Sequence, residues 1–248
     1  MGTGKTLVGK ELAKGLKMSY LDTDKLIENR EKMTKIWGGK LYTDYQEMLD
    51  KESLDAVYIC LPPFAHTDQE ILAVEKGINL FVEKPLALDL KNACQISKII
   101  EESGVISSVG YLYRYSDIVN RAKEEVSQGK IALILGHYLC PMPSTRWWRN
   151  KNESGGQIVE QTTHIFDLAR YLVGEVNTIY GQRSRGLMED VENYSLDDAS
   201  CINLHFQSGA VGSISSACTL KRGRDWGINL IGKGFRIDLL LSSHLLII

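Results

Sequence analysis

Apolar and polar positions follow two different rhythms along this chain. In residues 7–16, Leu7, Val8, Leu12, Ala13 and Leu16 recur at the spacing of one helix face, and Met18-Ser19-Tyr20-Leu21 then reads as a short strand ending at Asp22. Residues 25–37 are polar and helix-like, residues 42–49 predict another short helix, and Ala56-Val57-Tyr58-Ile59-Cys60-Leu61 is a buried strand stopped by Pro62 and Pro63. Helix 67–76, strand 79–82, helix 90–103 and strand 105–109 continue the series. Strands separated by helices of this length predict a parallel sheet with crossover helices.

After about residue 115 the rhythm changes. Helix 117–127 leads into a long strand over 131–139, a loop rich in Trp, Arg and Gly, and a helix over 158–172. Residues 178–183, 200–206, 210–217 and 227–231 then alternate polar with apolar or carry turn residues such as Gln207-Ser208-Gly209, which predicts an antiparallel sheet with one solvated face. The expected class is α/β: a parallel domain over residues 1–116, then an α+β domain with a mainly antiparallel sheet over residues 117–248. No internal repeat or low-complexity segment interrupts it.

Composition narrows the partners. With 248 residues, 44% of them hydrophobic, the chain can bury a substantial core. Net charge is -2, from 29 Lys+Arg against 31 Asp+Glu with no long basic run, so neither nucleic acid nor a membrane surface is expected as a partner. Cys60, Cys94, Cys140, Cys201 and Cys218 are scattered and never form a Cys-x-x-Cys pair, which argues against a disulfide framework and against a zinc cluster. The first ten residues lack a signal peptide's apolar core, no run of about 18 apolar residues offers a membrane span, and Ser242, Ser243 and His244 interrupt the apolar tail. A cytoplasmic location is the expectation.

Three segments carry chemistry. In Phe81-Val82-Glu83-Lys84-Pro85 a buried strand ends at a lysine, at the edge where open α/β sheets bind ligands. A surface lysine at a strand end would look the same. In the stretch Gly155-Gly156-Gln157-Ile158-Val159-Glu160-Gln161-Thr162-Thr163-His164-Ile165-Phe166-Asp167, a helix would put Glu160, His164 and Asp167 on one polar face and Ile158, Ile165, Ala169 and Leu172 on another. A catalytic base or a histidine satisfied locally both fit that face, and no fuller ligand set supports a catalytic metal. In Leu61-Pro62-Pro63-Phe64-Ala65-His66, a proline-stiffened loop follows a strand end, and its backbone could lie against a nucleotide or simply stop the strand.

These motifs, together with Gly110-Tyr111-Leu112-Tyr113-Arg114-Tyr115 and Arg146-Trp147-Trp148, resemble the glucose-fructose oxidoreductase / inositol dehydrogenase / rhizopine-catabolism (Gfo/Idh/MocA) family over about residues 37–237. The resemblance implies a Rossmann-type domain for NAD, with NADP open, and a second domain whose sheet faces a sugar or polyol. By matched position it implies Lys84 and His164 as catalytic residues. Glu160, a third catalytic candidate, stands where the inositol dehydrogenase pattern carries an aspartate, one methylene shorter. Leu61, Pro62, His66, Glu83 and Lys84 are then candidates for holding the cofactor, and Arg114, Trp147, Trp148, Glu160 and Asp167 for holding the substrate, although two tryptophans equally suit a core. Imidazole suits proton removal from a hydroxyl near neutrality, and an ammonium suits an oxygen gaining negative charge.

Both ends depart from that family. The chain opens on Met1-Gly2-Thr3-Gly4-Lys5-Thr6, so the first apolar strand of a Rossmann-type sheet is missing, and Leu7 stands where the glycine fingerprint expects its third glycine. Residues 1–28 are similar to the start of shikimate kinase, through Gly4-Lys5-Thr6 and Asp22-Thr23-Asp24, which keeps a phosphate-loop ATP-binding fragment as an alternative. In a dinucleotide site, Gly2 and Gly4 would face pyrophosphate and Asp22 or Asp24 the ribose, favouring NAD over NADP. Residues 238–248 match nothing in the family pattern, so final strands look missing. An oxidoreductase fold that has lost its activity is the third reading, and an exposed sheet face would favour a homo-dimer or homo-tetramer.

Overall fold

A computed structural model of the chain describes residues 35–36 and 38–248. The helix expected over 7–16, the strand over 18–21 and nearly all of the helix over 25–37 lie outside the described residues, as do Gly2, Gly4, Asp22 and Asp24. The described chain falls into two units, divided after Gly110.

The first unit alternates helix and strand. Its elements are α1 (Tyr45–Lys51), β1 (Ala56–Ile59), α2 (Gln69–Glu75), β2 (Asn79–Val82), α3 (Leu90–Ser103) and β3 (Ser107–Val109). Acidic side chains cap α1 and α3: Asp44 accepts from the Gln46 amide at 2.8 Å, and Asp89 from the Asn92 amide at 2.9 Å. α3 stops at Gly104, whose φ of 72° is left-handed. The strands pair in parallel in the order β1-β2-β3, with Ile59, Val82 and Val109 in register. Met48, Leu49, Ile59, Ala73, Val74, Ile78, Leu80 and Val82 form the core beneath them.

The second unit, Tyr111–Ile248, is built on a seven-stranded sheet. After a 3₁₀ turn (Leu112–Tyr115) come α4 (Asp117–Val126), β4 (Ile131–Leu139), a second 3₁₀ turn (Arg146–Arg149), α5 (Lys151–Ser154), a π-helical turn (Ile158–Thr162) and α6 (Thr163–Val173). The remaining strands are β5 (Val176–Ser184), β6 (Ala199–Phe206), β7 (Val211–Ala217), β8 (Asp225–Gly232), β9 (Phe235–Leu240) and β10 (Leu245–Ile247). Their order is β10-β9-β8-β4-β7-β6-β5, antiparallel throughout except for the parallel pair β4 and β7.

One face of this sheet is covered. Val119, Ala122, Ile134, Ile165, Leu168, Ile202, Leu204, Phe206, Ile214, Ile228 and Leu230 are buried together between the strands and helices α4 and α6. Gly136 is what lets α6 come close, since a Cβ there would stand 2.6 Å from the Ile165 Cγ2. The opposite face keeps the polar half of the alternation, with Cys201, Asn203 and His205 exposed, and on it also lie Leu135, Tyr180 and Val211.

Two features bear on the expected division of the chain. The unit boundary lies earlier than residue 116 because residues 111–115 are tied to α6: the Tyr111 hydroxyl shares a 3.0 Å hydrogen bond with the Thr163 hydroxyl, and Arg114 pairs with Asp167. Residues 238–248, which match no expected element, continue the sheet. Leu239 is fully buried in β9, and β10 pairs antiparallel with it.

Candidate active site

The first group of candidate residues lies at the carboxyl edge of the parallel sheet. Because Ile59, Val82 and Val109 are in register, the chain leaves all three strands at one edge. The ladder runs one step further: the Glu83 amide donates to the Ile59 carbonyl and the Gly110 amide to the Val82 carbonyl, each at 2.8 Å. Lys84 follows, buried, with a cis peptide to Pro85. Gly110 must stay small, since a Cβ there would approach the Glu83 carboxylate to 3.1 Å.

Leu61 and Pro62 occupy the same edge after β1, and a 3₁₀ turn over Pro63–Ala65 folds the loop toward α2. His66 is tied within the loop. Its Nδ1 meets the Glu70 carboxylate at 2.5 Å and its Nε2 lies 3.4 Å from the Leu61 carbonyl, so the ring binds the loop to the first turn of α2.

The second group lies around the start of α6. Asn150 caps α5 by accepting from the Asn152 amide at 3.0 Å, and Gly155 and Gly156, at φ of 74° and 88°, break the helix. The chain then enters a π turn before becoming α-helical at Thr163. Glu160, His164 and Asp167 are thus not spaced along one regular helix, since Glu160 sits on the wider turn. π turns inside helices often occur at functional sites.

Each of the three has its own surroundings. Oε2 of Glu160 accepts the indole N–H of Trp148 at 2.9 Å. His164 is buried, with the rings of Tyr111 and Tyr113 nearly perpendicular to it at centroid distances of 5.9 and 5.1 Å. Asp167 receives Arg114 in a two-pronged pair, Nε to Oδ2 at 2.8 Å and Nη2 to Oδ1 at 2.5 Å, and that bond holds the guanidinium's pKa above its ordinary value. Burial pushes the Tyr113 phenol up, keeping it neutral.

The two tryptophans part company. Trp148 is buried: the 3₁₀ turn over Arg146–Arg149 places it among Cys140, Leu196 and Cys218. Trp147 packs partly buried against that cluster. Tyr111 and Tyr113 are the residues the sequence reading missed. Their signal was available in the every-second-residue aromatics at 111, 113 and 115 ahead of a polar helix. Among the described residues, no group of three or more His, Cys, Asp or Glu side chains could hold a metal ion.

Comparison with known proteins gives these units a family. Residues 12–111 match the model described as the oxidoreductase family with an NAD-binding Rossmann fold, and residues 119–237 match the GFO/IDH/MocA C-terminal domain. The chain is 31% identical over 198 residues to scyllo-inositol 2-dehydrogenase (NAD(+)) of Bacillus subtilis (strain 168), covering 76% of this chain and 56% of that protein. It is 28% identical over 214 residues to Myo-inositol 2-dehydrogenase of Thermotoga maritima, covering 84% of this chain and 63% of that one. The match thus spans less than two thirds of either relative. A crystal structure of a probable dehydrogenase from Thermotoga maritima is similar with a TM-score of 0.82 at 26% identity, covering 97% of this chain and 73% of the other. Residues 12–28 of the segment that resembles shikimate kinase fall inside the oxidoreductase match, so the phosphate-loop alternative is not favoured. From the Rossmann-type unit through the mainly antiparallel domain that follows it, the chain belongs to the Gfo/Idh/MocA family of oxidoreductases.

Proposed function

We propose that this chain is an NAD-dependent dehydrogenase acting on a secondary hydroxyl of a sugar or polyol, with NADP as the less favoured cofactor. The observation that carries this reading is the carboxyl edge of the parallel sheet, where three strands end in register beside a buried lysine. That edge suits a dinucleotide, which open α/β sheets bind at the carboxyl ends of their strands, here along Leu61 and Pro62 after β1 and Glu83 and Lys84 after β2. When bound, the nicotinamide supplies the hydride acceptor. The two inositol dehydrogenases are the relatives whose substrates suggest the class.

The proposed roles follow from charge and proton balance. Hydride leaves the carbinol carbon while the hydroxyl proton passes to His164, the proton acceptor. Lys84 is the candidate donor whose ammonium would stabilise negative charge developing on a substrate oxygen. Glu160 orients a substrate hydroxyl or the imidazole. Incubating the chain with NAD and a panel of inositols and sugars should raise absorbance in the reduced-nicotinamide band. Lys84→Ala and His164→Ala should each abolish most of that signal, and undiminished turnover in both would remove the assignment. A chain that binds no NAD would instead support the reading of a fold with lost activity.

We also infer a homo-dimer or homo-tetramer formed through the open sheet face, where Leu135, Tyr180 and Val211 are exposed. Light scattering on the eluted protein tests this, and a monomer at micromolar concentration would refute it. The balanced charge and scattered cysteines favour the cytoplasm as its location.

A further inference from the structure

Both phenols beside His164 come from outside its helix. Tyr111 precedes, and Tyr113 lies within, the 3₁₀ turn Leu112–Tyr115, none of whose residues is fully buried. Within it Tyr113 packs against the core cluster, while Leu112 and Tyr115 are exposed. Two polar ties hold it to α6: the Tyr111 hydroxyl bonds Thr163, the neighbour of His164, and the Arg114 fork grips Asp167 one turn further along. The Asp167 side chain is only 7% exposed, against 38% for Arg114, and the guanidinium also lies 5.1 Å from the centre of the Tyr171 ring. A planar fork on a carboxylate fixes orientation as well as distance, which a single point charge does not.

We propose that Arg114 and Asp167 are positioning residues, a clamp that holds residues 111–115 against α6 and so keeps the Tyr111 and Tyr113 rings around the His164 imidazole. This replaces the substrate-binding role expected for both. The Asp167 carboxylate is engaged by Arg114 through both oxygens and is 7% exposed, which leaves it little open to a substrate. The clamp deepens the dehydrogenase reading, on which its kinetic consequences rest.

The experiment has a spectroscopic arm and a kinetic arm, both on the full chain. Labelling the five histidines at Cε1 and assigning His164 by its loss in His164→Gln gives a resonance displaced by the two phenol rings. In Arg114→Gln and Asp167→Asn that resonance should move toward the position of a free imidazole. The same variants should lower kcat about tenfold to a hundredfold with KM within about twofold, as expected when geometry at the reacting atoms is loosened. Arg114→Lys should restore part of both effects, since it keeps the charge and loses the fork. An unmoved resonance in both variants would overturn the clamp, and so would a raised KM with kcat intact, which would return the pair to substrate binding. Should Asp167→Asn fail to fold, Arg114→Gln at the more exposed end decides alone. If the wild-type chain turns over nothing, the dehydrogenase reading fails, and the resonance still supports or sinks the clamp.

Discussion

Trp148 lies in the core, yet its indole N–H reaches Glu160 on the π turn at 2.9 Å. One side chain thus both fills the cluster with Cys140, Leu196 and Cys218 and orients a carboxylate four residues before His164. Trp148→Phe removes the donor and part of the ring. Losing a hydrogen bond to a charged group and leaving a small void should cost about 2–4 kcal/mol, read from the urea midpoint. Turnover should fall as well, because the donor that orients Glu160 is gone. A stability loss with unchanged kcat would limit Trp148 to packing.

Gly136 sets how closely α6 approaches the sheet. A Cβ at this position would stand 2.6 Å from Ile165 Cγ2 and 3.1 Å from Ile214 Cγ1, and both isoleucines are fully buried. Neither has room to retreat. Gly136→Ala should therefore destabilise the second unit by about 1–3 kcal/mol through overpacking. By tilting the helix that carries His164 it should also reduce kcat. Gly129→Ala is the control: the nearest atom to its added Cβ belongs to the Phe235 ring at 2.8 Å, a partly exposed side chain outside α6, so turnover should be unaffected.

Much of this architecture was legible because local chemistry and long-range packing agree. Strand β4 and helix α3 fall where the periodicity put them, α3 having an aspartate at its start and a glycine at its end. The π turn was not legible, since over five residues an apolar spacing cannot distinguish a turn of 3.6 residues from a wider one. Nor was the parallel pairing of β4 with β7, because alternation reports which face is buried and not which strand lies beside it. Lys84 and His164 stand out as candidates by type and position. The aromatic alternation at 111, 113 and 115 is local, but the Tyr111–Thr163 and Arg114–Asp167 contacts join residues 52 and 53 apart in sequence, which no local pattern reveals.

Asp197 gathers three cations, Arg185 at 2.6 Å, Lys151 at 3.1 Å and Arg183 at 3.4 Å. Burial alone would raise its carboxyl, but hydrogen bonds from Arg185 and Lys151 and their charges outweigh that, and the net shift is downward from 3.8. A depressed folded pKa means that the unfolded chain binds more protons through the acid range. The stabilisation is therefore present in full above about pH 4 and drains away as pH falls through the folded value. The cations are partly exposed, which limits the gain to about 1 kcal/mol. Between pH 5 and pH 3 the wild-type melting temperature should fall more steeply than that of Asp197→Asn, and parallel profiles would show that the cluster contributes nothing.

The last hairpin offers the sharpest contrast between two leucines. Leu239 in β9 is fully buried, with Ile228 beside it on β8 and Leu246 on β10, whereas Leu245 at the edge is 46% exposed. If β9 belongs to the same cooperative core as the rest of the sheet, Leu239→Ala leaves a cavity among Ile228, Leu230 and Ile237 and should cost about 2–5 kcal/mol. Leu245→Ala removes surface that water already reaches and should cost less than about 1 kcal/mol. Equal and small effects in equilibrium denaturation would mean that the hairpin frays independently of the sheet. A large effect at Leu239 alone places β9 within the same folding unit as β4 and β8, and hence within the scaffold that holds α6 and its histidine.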